Sequence, residues 1–339
     1  MRKLLIFLSI PLFLLAQEDL TPEQIQEELD ADEAQFKHAK EMFNPWYAGP
    51  LLTGSAHMMP PGYIGIQPYI FVTDTYASYN GDWHSVGSPD LVQLNPQVSA
   101  LQAGITDWLD ASLAMQGFTN WKEGVSSGGL GDTNLTLGLR LVSEGAWMPA
   151  MKIGVGETFP TGKYQKLSAD KNGTDSTGAG SYQTALSFRI AKLFFWATNH
   201  PLNLRSTFTW TIPSSVHVRG INAYGGGTDT NGSMDLGYQY NVSFGLEWSF
   251  TQKWVFCNDF IYVHSNEDTF SGTPGISPTG TPFDLNIPSS EQFSLCPGIE
   301  YNPTSDLNFL AGVWFTVAGR NSGNFISGIV SMSYTFAVK

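Results

Sequence analysis

Gly124-Val125-Ser126-Ser127-Gly128 has the spacing of a GxSxG nucleophile motif. In such a motif the serine sits on a strand-to-helix elbow and a nearby histidine activates it. Here the pentapeptide lies in a glycine-rich stretch with no helical pattern after it, so it carries no catalytic assignment. The histidines His38, His57, His84, His200, His217 and His264 are scattered, and none has metal-ligand spacing. The runs GGLGD and AYGGGTD lack the strand–loop–helix frame of a nucleotide-binding loop. No catalytic residue, metal ligand or cofactor is therefore expected. A barrel-embedded lipid hydrolase would need Ser and His together on adjacent strands, and no such pair can be assembled.

The residues with chemical potential are charges that recur on one side of alternating segments. Arg140, Lys152, Arg189 and Arg205 are followed by Glu247, Asp259 and Glu300, each two to six residues from a short turn. Residues at even spacing along a strand share a face. The set reads as a belt inside a barrel, basic on one arc and acidic on the other. It is either a salt-bridge network tying the wall together or a transverse field at a constriction that orients polar solutes. Asp259 is the least secure member, because Asn258 beside it is also polar.

The elements that must position this belt are strands. In YNVSFGLEWSF, Tyr240, Val242, Phe244, Leu246, Trp248 and Phe250 share one face, and Asn241, Ser243, Gly245, Glu247 and Ser249 the other. LNLRSTFTWTI and GDTNLTLGLRL alternate in the same way, and so does the final SGIVSMSYTFAVK, with Ile329 the one apolar residue on its polar face. The polar faces carry mainly Ser, Thr, Asn and Gly. A soluble sandwich would charge them heavily, but only 14% of this chain is charged, against about 25% in soluble domains. Five short polar turns fall within AGITDWLDASLAMQG, SEGAWMP, WATNHPL, SFTQKWVFCNDFIY and EYNPTSDLNFLAGVW. The other connections, 74–96, 120–130, 161–180, 214–235, 265–291 and 318–324, are mostly long and fall at the opposite end. This predicts an all-β fold: a transmembrane antiparallel β-barrel of about twelve strands over 62–336, of the bacterial outer-membrane type. Lipids of that membrane are its first expected partner. Trp108, Trp147, Trp196 and Trp254 beside the short turns, with Tyr334 and Phe336 on the last strand, are expected to form the aromatic girdle. Gly104, Gly138, Gly154, Gly245, Gly298 and Gly312 on the inner face leave room for water, solute or a plug.

Residues 1–16, with Arg2 and Lys3 before an apolar run to Leu15, read as a signal peptide cut after Ala16. Residues 17–61 read as an acidic periplasmic leader and linker. Its first part, 17–43, holds nine acids and two bases and so seven of the thirteen net negative charges. Thr21, Pro22 and Gln24 have the pattern of a capped helix start, although so acidic a segment is also compatible with disorder. Residues 337–339 are a short tail. The net charge of −13 argues against a nucleic-acid partner. Cys257 and Cys296 lie on consecutive strands and are expected to be free thiols.

GLGDTNLTLGLRL followed by MKIGVGETFPTGKY resembles the core of the MetA-pathway phenol-degradation family. Gly131–Asp132 and Pro160–Gly162 carry the match, which extends over about 128–336. NPWYAGPLLTGSAHMMPPGYIGIQPYIF is similar to a leader on exported bacterial proteins. The resemblance implies a transporter-like barrel and, by pathway association, small aromatic or hydrophobic solutes. The terminal aromatics resemble the C-terminal signature through which the barrel-assembly machinery recognises its clients, with three extra residues after Phe336. The expected function is a passive, porin-like channel for small solutes. The alternative is a structural or surface-interaction barrel with a blocked lumen.

Overall fold

The computed structural model describes residues 21–42, 47–196, 198–277 and 279–338. The expected signal segment 1–16 lies outside the described residues. One helix, α1 (Pro22–Met42), precedes sixteen strands. Its start is the expected capping box: the Thr21 N–H donates to Gln24 Oε1 at 2.9 Å and the Gln24 N–H to Thr21 Oγ1 at 3.3 Å.

Twelve strands close an antiparallel barrel: β1 (Tyr63–Tyr79), β2 (Ser85–Thr106), β3 (Leu109–Lys122), β5 (Thr133–Val142), β6 (Ala150–Phe159), β7 (Gln183–Phe194), β8 (Leu202–Pro213), β11 (Gln239–Ser249), β12 (Trp254–Ser265), β14 (Ser290–Tyr301), β15 (Leu307–Arg320) and β16 (Gly323–Ala337). Pairing of β1 with β16 closes the ring, so no barrel edge is left open. β16 runs one residue past the expected end, with Ala337 opposite Tyr63. The remaining four strands belong to loops: β4 (Val125–Leu130), β9 (Val216–Arg219), β10 (Asn231–Asp235) and β13 (Thr269–Thr273).

The alternation is realised residue by residue. Leu135, Leu137, Leu139 and Leu141 are exposed on the outer wall, as are Val330, Met332 and Tyr334 of β16, while Ser327, Ile329 and Ser331 are buried inside. Three expected loops are largely strand instead. The β1–β2 ladder continues to Tyr79 opposite Ser85, the β3–β4 hairpin occupies 120–130, and β15 and β16 join across Asn321 and Ser322. Their Gly, Ser and Asn content suggested loop, but a ribbon standing clear of the membrane is wet on both faces and keeps its ladder without an apolar stripe. GVSSG lies on that β3–β4 hairpin, with Trp121 opposite Ser126 and no helix following.

At the long-loop end β13, β10 and β9 form a small sheet over a core of Val216, Val218, Met234 and Leu285. The two motifs behind the family resemblance meet there. Asp132 Oδ1 accepts the Gly162 N–H at 2.9 Å and Oδ2 that of Ala179 at 2.8 Å. They form a structural clasp that ties the start of β5 to the turn after β6.

Candidate functional site in the barrel lumen

Residues 47–61 form a strap inside the barrel, a place the sequence alone did not assign to them. Acidic wall residues hold its backbone. The Ala48 N–H donates to Glu300 Oε2 at 3.1 Å, and the Leu52 and Thr53 N–H groups donate to Asp259 at 3.1 and 2.9 Å. On the opposite wall the Met59 N–H reaches Asp110 at 3.4 Å.

Leu51 enters a buried cluster of Tyr69, Phe71, Cys257, Cys296, Leu310 and Ile329. This explains the apolar residue on the polar face of β16: Ile329 faces the strap, not water. It also explains four lumenal glycines. A Cβ on Gly298 would meet Leu51 Cδ1 at 2.6 Å, and one on Gly312 would clash with the same atom. A Cβ on Gly245 would meet Pro50 at 2.6 Å, and one on Gly104 would run into the Pro60 carbonyl. Cys257 and Cys296 are free and buried; Cys257 stands opposite Gly298 and Cys296 opposite Asp259.

The belt's basic residues lie on β5 to β8 and its acidic ones on β11, β12 and β14, and of the seven only Arg205 and Glu247 pair with each other. Arg205 on β8 forms a buried ion pair with Glu247 on β11, with Nε to Oε2 at 2.7 Å and Nη2 to Oε1 at 3.1 Å. Asn203 also donates to Glu247 at 2.7 Å. Lys152 bonds to Asp110 at 2.6 Å, both being 3% exposed in their side chains. Asp110 was not among the expected belt residues, because it sits beside a turn and read as part of it. Its signal was parity: Asp110 shares the inner face of β3 with Ser112. Lys152 lies two strands away, and Gly138 on the strand between lets the pair cross, since a Cβ there would strike both side chains. Asp259 and Glu300 are fully buried and occupied by the strap. Arg140 is half-buried and forms no ion pair among the described residues. Arg189 packs its guanidinium on Gly54, where a Cβ would meet Cζ at 3.2 Å, and its buried Nε has no hydrogen-bond partner.

The strap fills one side of the lumen and leaves a cavity of about 470 Å³ on the other. Strap residues 48–55 form one wall. The barrel supplies Gln67, Gln97, Gln102, Asn134 and Thr136, with Asp110, Lys152, Arg189 and Arg205 among them.

A second cluster locks the strap and helix to the short-turn rim. Glu144, between β5 and β6, accepts from His57 Nε2 at 3.1 Å and from the Leu193 N–H at 2.6 Å, with Lys40 at 3.6 Å and Lys192 at 3.7 Å. Burial alone would raise its carboxyl, but the His57 bond and charge, the Leu193 N–H and Lys40 outweigh burial and bring it down to about 2. Phe36 of α1 packs edge-on against Trp196 at 5.4 Å, and Trp147 Nε1 donates to Asp32 at 3.0 Å. Trp196 therefore packs against the helix at this rim. Trp108, Trp254 and Tyr334 are exposed on the outside; Tyr334 stacks on Phe336 at 5.8 Å and Trp254 meets Tyr301 at 4.5 Å. Among the described residues no group of three or more His, Cys, Asp or Glu is arranged for a metal ion.

The class that these features define is a transmembrane barrel of the bacterial outer-membrane type with an occupied lumen. No family model matches the chain, and no curated protein matches it. Among solved structures it is similar to an outer-membrane channel from Pseudomonas putida F1, with TM-score 0.59 and 15% identity over 84% of this chain and 98% of that one. The NanC porin matches with TM-score 0.37 and 8% identity over 78% and 98%. The translocator domain of the autotransporter NalP from Neisseria meningitidis matches with TM-score 0.43 and 12% identity over 92% and 97%. The first likeness shows the fold that this chain shares.

Proposed function

We propose that the protein is a narrow, passive channel through which small solutes cross the outer membrane beside the lumenal strap. The observation that carries this reading is the 470 Å³ polar cavity between residues 48–55 and the wall. Twelve strands enclose a lumen intermediate between side-chain-filled eight-stranded barrels and open porins of sixteen or more, and a lumen meant only as a core would be filled on both sides of the strap. The wall on this side instead presents amides, hydroxyls and charges that can replace a solute's hydration shell. The motifs that resemble those of the MetA-pathway phenol-degradation family support a transport role and bring small aromatic or hydrophobic compounds in as candidate solutes. The final strand, alternating to Phe336 and paired with β1, supplies the feature on which the barrel-assembly machinery would act.

The strap also favours a second reading, a structural or surface-interaction barrel with its lumen blocked. Single-channel recording on refolded protein in planar bilayers separates the two. Discrete small conductance steps are expected. Their absence from the full chain, with their appearance in a variant lacking residues 47–56 that migrates as a folded barrel, would establish the strap-blocked barrel instead.

A further inference from the structure

The geometry points to a binding site for a small organic anion, a carboxylate, in the lumenal cavity, with Arg189 as the residue that holds it. This rests on reading the cavity as the solute path and names the class of solute it selects. Four charged side chains line the cavity: Asp110, Lys152, Arg189 and Arg205. Lys152 and Asp110 neutralise each other at 2.6 Å, and Arg205 is neutralised by Glu247 at 2.7 Å. Asp259 accepts two strap N–H groups and Glu300 one, and neither carboxylate lines the cavity. Arg189 is left as the uncompensated charge. Among the described residues it forms no ion pair, and its Nε is buried with no partner. Arg189 is half-buried and lines the cavity, and a guanidinium there without an ion-pair partner is a two-pronged donor that matches a carboxylate.

The surroundings fit such a ligand. Gly54 allows the strap backbone to lie against the guanidinium and holds the fork in place. Gln67, Gln97, Gln102, Asn134 and Thr136 offer neutral donors and acceptors for the rest of the solute, and Tyr69 and Phe71, stacked 5.6 Å apart, add an apolar flank. Strap and wall together form the site, so strap position sets its affinity.

The test is binding of benzoate to the detergent-solubilised full chain by calorimetry, with benzamide as the uncharged isostere. Benzoate is expected to bind at least tenfold more tightly than benzamide, and Arg189→Gln to abolish that difference. Arg189→Lys keeps the charge but not the fork and is expected to retain a weakened preference. Heat-modifiable gel migration verifies that each variant is folded; if Arg189→Gln fails to fold, Gly54→Val, which crowds the guanidinium from the strap side, takes its place. Equal binding of benzoate and benzamide by wild-type protein, or an undiminished preference in a folded Arg189→Gln protein, overturns the inference. Because binding is read without conduction, a protein that conducts but shows no Arg189-dependent preference for benzoate sinks this inference alone. A barrel that binds benzoate but never conducts sinks the channel reading alone.

Discussion

Thr53 donates its backbone N–H to Asp259 at 2.9 Å, across 206 residues of chain. With the Leu52 N–H on the other carboxylate oxygen at 3.1 Å, this one side chain anchors the middle of the strap to β12. Hydrogen bonds to a charged acceptor contribute about 1.5–3 kcal/mol each. Asp259→Ala is therefore expected to release the strap while leaving the wall intact. Single-channel conductance should rise severalfold and residues 47–61 should become protease-sensitive. Conductance unchanged from wild type would show that Asp259 does not hold the strap.

Leu51 and the glycines beneath it should be energetically coupled. Gly312→Ala places a methyl where Leu51 Cδ1 lies, and overpacking of this kind costs about 1–3 kcal/mol. Leu51→Ala alone empties the cluster around Ile329 and Leu310, a loss of about 2–5 kcal/mol. The double variant should be less perturbed than the two single effects added together. Strap protection, measured by hydrogen exchange over residues 48–56, is the readout; strict additivity would show that the two do not meet.

Arg205 and Glu247 should matter for stability rather than selectivity. Both are buried, and removal of one partner leaves a buried charge at a cost of about 3–5 kcal/mol. Arg205→Gln is expected to lower the temperature at which the barrel loses its folded gel mobility. Arg205→Gln with Glu247→Gln should recover much of that loss, because no charge is then orphaned. A single variant as heat-resistant as wild type would argue that the pair is solvated.

The rim cluster predicts acid sensitivity. Glu144 is held down to about 2 in the folded chain, against about 4.3 for a free glutamate. A depressed carboxylate stabilises the folded form above its unfolded value, and the contribution is lost as pH falls from about 4.5 towards 2. Helix α1 and the strap, tied to Glu144 through Lys40 and His57, should undock over that window while the barrel persists. Fluorescence of Trp196, which packs on Phe36, should report the change. Glu144→Gln should weaken docking at neutral pH and flatten the acid transition; a transition unaltered in this variant would exclude Glu144 as its origin.

Alternation with a period of two was legible in the sequence because lipid outside and a polar lumen inside impose opposite demands on neighbouring residues. It determined the twelve barrel strands and the outward face of Leu135 to Leu141, left Asp259's facing the least secure, and the capped start of α1 was legible separately in Thr21, Pro22 and Gln24. Where both faces are wet, at 74–96 and 120–130, that contrast vanishes and strands looked like loops. Only the tertiary structure decided what occupies the lumen. Ile329, Leu310, Cys257 and Cys296 were apolar or weakly polar residues on a polar face, and Gly298 and Gly312 were unexplained gaps. These are the imprint of Leu51, which is more than 200 residues from all but the nearby wall residues Tyr69 and Phe71 in its cluster. The charge belt shows the same division. Strand parity determined which charges point inward, but pairing across β5 and against the strap decided which are spent. Those partners come from distant parts of the chain, and no local pattern records how a closed ring brings them together.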